Sequence, residues 1–261
     1  MFEVIGSPEI RDPRWHTEDG VPAEGNRAIF PICTLDTKNR LALIGTGFFI
    51  STNGIFVTAK HLFMDRFGNR PLKPLIAIQF IAGDQYLRRP VMNVSVNNTD
   101  VAIGSLAPGI HNVTGEQLLN PILTLTTEIP AQSSIISTLA YPKTFVKDND
   151  CLREIHFETT WHCGYVMDYL PNGRDNVMLP GPCYRTTMDI SHGASGGPVM
   201  NTAARVFAVN STGYDGIQES YVSAIQSIGG LQLNEVMLPG EARPQAVTMN
   251  ELIDRGFIVV E

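Results

Sequence analysis

From Ala28 onward the apolar residues fall in short runs divided by turn formers, the spacing of a β protein. Ala28–Leu35 stops at Asp36-Thr-Lys-Asn39, and Leu41–Ile50 runs on to Ser51-Thr-Asn53-Gly54. Ile55–Ala59 then returns and delivers Lys60-His61 at its end. An Asn-Gly pair between two apolar runs is the strongest local hairpin signal, because the favoured turn needs positive φ at both central positions. Leu75–Ile81, Arg89–Val96 and Val101–Leu106 complete a first series of short strands, which predicts a small closed barrel.

A second β series follows a connector rich in Pro and Gly: Ile122–Thr126, Ile135–Tyr141, a long hairpin region within Glu154–Tyr169, Tyr184–Thr187, Pro198–Met200, Val206–Asn210 and Tyr221–Ile225. Near the end, Thr248 and Glu251 form a capping box, Val247 and Leu252 are placed to staple it, and Gly256 is a natural stop. A short C-terminal helix is expected there, followed by the apolar tail Phe257–Val260 packed against the second β unit. The chain therefore divides into an extended polar arm (1–26), a first β-barrel (27–110), a connector (111–121), a second β-barrel (122–230) and a C-terminal segment with a short helix (231–261).

Composition narrows the function classes. With 43% hydrophobic and 17% charged residues the 261-residue chain is an ordinary globular protein, long enough for one large or two small cores. A net charge of −7 and the lack of any Lys/Arg cluster argue against a nucleic-acid partner. The start has no basic, then apolar, leader pattern, and no apolar run is long enough to span a bilayer, so a soluble, cytoplasmic protein without membrane contact is expected. Cys33, Cys151, Cys163 and Cys183 read as free thiols. Together with His156 and His162 they lack the paired spacing of a zinc site, and no metal or cofactor is expected. The sequons at Asn97, Asn112 and Asn210 are read as chance.

The chemistry concentrates in Asp189-Ile-Ser-His-Gly-Ala-Ser195-Gly-Gly-Pro198. Glycines on both sides of Ser195 leave its hydroxyl uncrowded and let consecutive backbone N–H groups turn toward one point, as acyl transfer requires. All six histidines (His16, His61, His111, His156, His162, His192) precede Ser195, which excludes the order of α/β-hydrolases. Asp36 ahead of His61 fits a subtilisin-like order, but those enzymes are helix-rich and the surroundings here are β. The order His, Asp, Ser remains.

Gly45-Thr-Gly47-Phe-Phe-Ile with Val57-Thr58-Ala59-Lys60-His61 resembles the region of the catalytic histidine in chymotrypsin/trypsin-like serine proteases. Asn98-Thr99-Asp100-Val-Ala-Ile103 resembles their aspartate strand, and Gly193-Ala-Ser195-Gly-Gly-Pro198 their nucleophile loop. The likeness spans roughly residues 28–230 and is nearer the intracellular and bacterial branch, including the high-temperature-requirement group, than the secreted digestive enzymes. It implies an all-β fold of two antiparallel six-stranded barrels with the active site between them. It further implies His61 as base, Asp100 as its orienting partner, Ser195 as nucleophile, and the Gly193 and Ser195 N–H groups as oxyanion hole.

The same resemblance puts Asp189 at the base of the primary pocket, His192 at its lining, and Ser211-Thr212-Gly213 along a wall that binds substrate backbone. Asp189 favours cleavage of polypeptides after Arg or Lys, while Tyr214, Tyr221 and His192 are placed to narrow that pocket. Ala194 departs from the family, since secreted members carry there the Asp that pairs with a newly cut N-terminus, so activation by trimming is not expected. Two other readings compete: a catalytically silent peptide-binding module, and a self-processing, viral-type polyprotein protease.

Overall fold

The computed structural model describes residues 3–5, 25–35, 40–64, 74–81, 86–110, 115–149, 152–213 and 218–261. Most of the arm, the Asp36–Asn39 turn, Asn112, Cys151 and Tyr214 lie outside them.

Six strands close the first barrel: β2 (Ile29–Leu35), β3 (Leu41–Phe49), β4 (Ile55–Ala59), β5 (Leu75–Phe80), β6 (Tyr86–Val96) and β7 (Val101–Leu106). Their order around it is β2-β3-β4-β7-β6-β5, all antiparallel, with β5 returning to β2. Closure leaves no open edge. Inside, the Phe30 ring meets Phe49 at 4.5 Å and Phe56 edge-on at 5.6 Å. Burying each such side chain contributes roughly 1.5–3 kcal/mol.

The second barrel uses β8 (Ile135–Asn149), β9 (Leu152–Leu170), β10 (Cys183–Thr186), β11 (Pro198–Met200), β12 (Val206–Gly213) and β13 (Ser220–Ala224). Their order is β9-β10-β13-β12-β11-β8, and β8 closes on β9. A short strand β1 (Glu3–Ile5) adds in parallel at Glu154–His156 of β9. So the all-β, two-barrel architecture implied by the sequence is the one observed. Alternation along β8 explains how the barrels meet: Ile136 and Ala140 face the second core, while Leu139 and Tyr141 join the cluster built on the first barrel. One apolar body thus continues from the first barrel into the face of the second.

Two expectations are revised. The hairpin expected within Glu154–Tyr169 is one strand, β9, whose partner is the extension of β8 as far as Asn149. Ile122–Thr126 forms no ladder. Leu125 instead lies between Val206 and Val260, and its segment divides its backbone bonds between the two.

Beyond the barrels, β14 (Gln232–Val236) pairs with β15 (Gln245–Thr248) and lies against β6 and β7. The helix α1 (Met249–Asp254) follows at once. Thr248 Oγ1 accepts the Glu251 N–H at 3.2 Å and the Glu251 carboxylate accepts the Thr248 N–H at 2.6 Å, completing the capping box. None of the helices among the described residues is long and apolar enough to cross a membrane.

Candidate active site

β4 ends in a single 3-10 turn, Lys60–Leu62, that carries His61. Asp100 sits one residue before β7, the neighbour of β4 in the ladder, so strand pairing alone brings the two together. Lys60 N–H donates to the Asp100 carbonyl at 3.1 Å and His61 N–H to Asp100 Oδ1 at 3.0 Å. The ring Nδ1 of His61 lies 2.9 Å from Asp100 Oδ2. Asp100 is 5% exposed, whereas the His61 side chain keeps 34% of its surface open to the cleft. Burial draws the imidazole pKa down, but the hydrogen bond and charge of Asp100 outweigh it and leave His61 raised above its ordinary value. With Nδ1–H donating to the carboxylate, Nε2 is left as a proton acceptor.

The loop just ahead of Asp100 is tied to the Ser227 turn that follows β13. Asn97 Oδ1 accepts from the Thr99 N–H at 2.9 Å, while Asn97 Nδ2 donates to the Ser227 carbonyl at 3.0 Å. Thr99 Oγ1 meets Ser227 Oγ at 3.1 Å. The asparagine of the first sequon is therefore engaged in this clamp.

Ser195 is half-buried in the turn between the Asp189 segment and β11. Its carbonyl accepts from Thr46 N–H of β3 at 2.8 Å. Gly196, at φ +86°, has its Cα directly against the Thr46 carbonyl, Thr58 Oγ1 and the Ala59 amide, leaving no room for a Cβ. The Ser195 turn is thus seated on the end of β4, just ahead of His61. Gly193 also needs its positive φ, +88°, and sits under the Tyr141 and Pro142 carbonyls. The N–H groups of Ala194, Gly196 and Gly197 all donate to backbone carbonyls. Among the described residues no such bond engages those of Gly193 or Ser195.

The residues that the resemblance assigns to a substrate pocket lie around the same loop. Asp189 Oδ1 is buried without a hydrogen-bond partner, and His192 is exposed. Ser211 bonds inward to Ser223 Oγ at 2.8 Å. Past Asn210, which bonds Gly196 and Gly197, β12 pairs among the described residues only with β13, which leaves the other edge of Ser211–Gly213 without a ladder partner among them. Gly213 lies tightly against the Ile190 carbonyl. Arg174 rests over the Tyr221 ring at 4.7 Å and reaches Thr212 Oγ1 at 3.3 Å, making the outer wall polar.

Two residues that bond this turn are not among those the sequence singles out: Thr46 lies inside the Gly45-Thr-Gly47 motif, and Asn210 is visible only as a sequon.

Residues 45–209 match the trypsin-like peptidase domain. No curated protein matches the chain. Among solved structures it is similar to Deg5, at 18% identity over 77% of this chain and 85% of that one, with a TM-score of 0.56. It is also similar to the active form of the Rv3671c protease from M. tuberculosis, at 19% identity over 77% and 78%, with a TM-score of 0.53. These likenesses show the shared fold, and the domain match spans more than half of the sequence. The chain belongs to the trypsin-like peptidase family and is a serine endopeptidase.

Proposed function

We propose that peptide-bond hydrolysis runs through His61, Asp100 and Ser195. The observation that carries this reading is the Asp100 carboxylate on Nδ1 of His61, beside the seat of the Ser195 turn. His61 Nε2 takes the Ser195 proton as Oγ attacks the scissile carbonyl, and Asp100 stabilises the imidazolium that forms. The negative oxygen of the tetrahedral intermediate is received by the Gly193 and Ser195 N–H groups. His61 then returns the proton to the leaving amine, and water, deprotonated by the same imidazole, hydrolyses the acyl-enzyme.

The polypeptide binds as an added strand along the open edge of Ser211–Gly213. Cleavage after Arg or Lys follows from Asp189, whose buried oxygen lacks a partner and gains one from a basic side chain. A long side chain must first part Gly213 from Ile190. That contact favours a second reading, cleavage after a small residue such as Ala or Val. Matched peptides with Arg, Lys, Ala, Val or Glu before the scissile bond decide between them by kcat/KM. Arg and Lys ranking first supports the Asp189 reading, Ala or Val ranking first supports the second, and Glu ranking first rejects both.

A further inference from the structure

Thr46, on the first barrel, is fully buried, and its polar groups face the nucleophile turn and its supports. Its N–H donates to the Ser195 carbonyl at 2.8 Å and its hydroxyl to the Gly193 carbonyl at 2.9 Å. The same hydroxyl accepts the N–H of Tyr141 on β8 at 3.0 Å, and the Thr46 carbonyl accepts from Thr58 Oγ1 at 2.6 Å. Asn210, equally buried on β12, holds the turn from beneath. Its side-chain amide donates to Thr138 Oγ1 at 2.7 Å and to the Ala194 carbonyl at 3.3 Å. Its backbone carbonyl accepts from Gly196 at 2.8 Å and its N–H donates to Gly197 at 2.9 Å.

The carbonyls of Gly193, Ala194 and Ser195 are therefore each held from Thr46 or Asn210. A trans peptide points its C=O and N–H in opposite directions. Tying the Ala194 carbonyl to Asn210 turns the Ser195 N–H the other way. Tying the Gly193 carbonyl to Thr46 fixes the peptide that links the two free donors, and so their relative orientation. Ala194 has no side chain with which to make an ion pair, and these neutral bonds occupy that role.

We propose that Thr46 and Asn210 are positioning residues that hold the two oxyanion donors in place, so that the hole forms without a free chain terminus. This rests on the reading of Ser195 as nucleophile. The hydroxyl of Thr46 acts through Gly193 and touches no substrate, so its loss registers in the transition state rather than in substrate binding.

The test compares the full-length chain with Thr46→Val and Thr46→Ser, reading kcat, KM and the affinity of a peptide boronate that forms a tetrahedral adduct. Removing one direct oxyanion donor typically costs about 100- to 1,000-fold. An indirect support should cost about 10- to 100-fold in kcat, with boronate affinity falling in parallel and KM held within about threefold. Thr46→Ser keeps the hydroxyl and should stay within about threefold of wild type. Wild-type kcat in Thr46→Val, or equal losses in the two variants, would overturn the proposal. Should Thr46→Val not fold, Asn210→Asp removes the donor to Ala194 in nearly the same shape. Its kcat should fall about tenfold or more at unchanged KM, and an unchanged kcat would overturn the proposal. Residues added ahead of Met1 should leave kcat within about twofold, and a roughly tenfold gain on removing them would count against it. A wild-type chain that neither turns over peptides nor binds the boronate would instead reject the Ser195 reading itself.

Discussion

The Asp100 carboxylate receives both the backbone N–H of His61, at 3.0 Å, and its ring Nδ1, at 2.9 Å. One side chain thereby fixes where the imidazole sits and which nitrogen keeps its proton. Asp100→Asn preserves the shape but offers an amide where a carboxylate is needed. The expected loss in kcat is on the order of 10⁴-fold, with far less effect on KM. Steady-state kinetics on a matched peptide checks it, and a loss under about tenfold would contradict the role given to Asp100.

The same contact sets a pH dependence. His61 acts as a base only when neutral, and its pKa is raised above the ordinary 6.5. The acid limb of kcat/KM is therefore expected to have its midpoint above 6.5, and Asp100→Asn should move that of the residual activity down. Stability follows the opposite course. The His61–Asp100 interaction contributes fully below the unfolded pKa of about 6.5 and is lost as pH rises through the folded value. Urea midpoints of wild type and Asp100→Asn should accordingly differ more just below the unfolded His pKa of about 6.5 than above the folded value.

Gly196 is one point where the two barrels are packed closely at the site, with its Cα against the Thr46 carbonyl and Thr58 Oγ1 at φ +86°. Gly196→Ala combines a strained backbone with a Cβ that has no space. It should cost about 2–4 kcal/mol by denaturant unfolding and remove activity in whatever protein folds. Stability within about 0.5 kcal/mol of wild type would mean that the barrels are not packed this closely.

On β6, Arg89 is a buried cation with no carboxylate partner among the described residues. It donates to Gln79 Oε1 at 2.7 Å, Asn120 Oδ1 at 2.6 Å and the Ala107 carbonyl at 2.7 Å, and burial lowers its pKa to about 10. Asn120 in turn donates twice to the Thr52 carbonyl, which ties the connector to the first barrel. Arg89→Ala strands the Gln79 and Ala107 oxygens, leaves Asn120 Oδ1 only its bond from Gln79 Nε2 at 3.0 Å, and opens a void. A loss of roughly 3 kcal/mol or more in urea unfolding is expected.

How much of this was legible depended on range. The bounds of β4 and β7 were readable to the residue, because both are buried apolar runs between turn formers. The extension of β8 and β9 was not. Past Tyr141 the two strands pair mainly with each other and β1, and backbone pairing leaves no apolar period to read. Ile122–Thr126 reads as a strand because the segment is apolar, yet Leu125 within it is shared between two distant partners.

The candidate site divides in the same way. His61, Asp100 and Ser195 stood out by residue type, order and their glycine-rich surroundings. Thr46 bonds a residue 147 positions away, and the Gly45-Thr-Gly47 motif around it marks the strand but not the partner of its hydroxyl. The contact of Gly213 with Ile190 likewise exists only once β12 and the Asp189 segment are side by side.

The most direct measurement is covalent labelling by a fluorophosphonate, which requires an activated serine and a working base. Wild type should label at one residue, identified as Ser195 by peptide mapping. Ser195→Ala should not label, and His61→Ala should label at least about 100-fold more slowly. Labelling that persists in Ser195→Ala, or maps to another residue, would contradict the account.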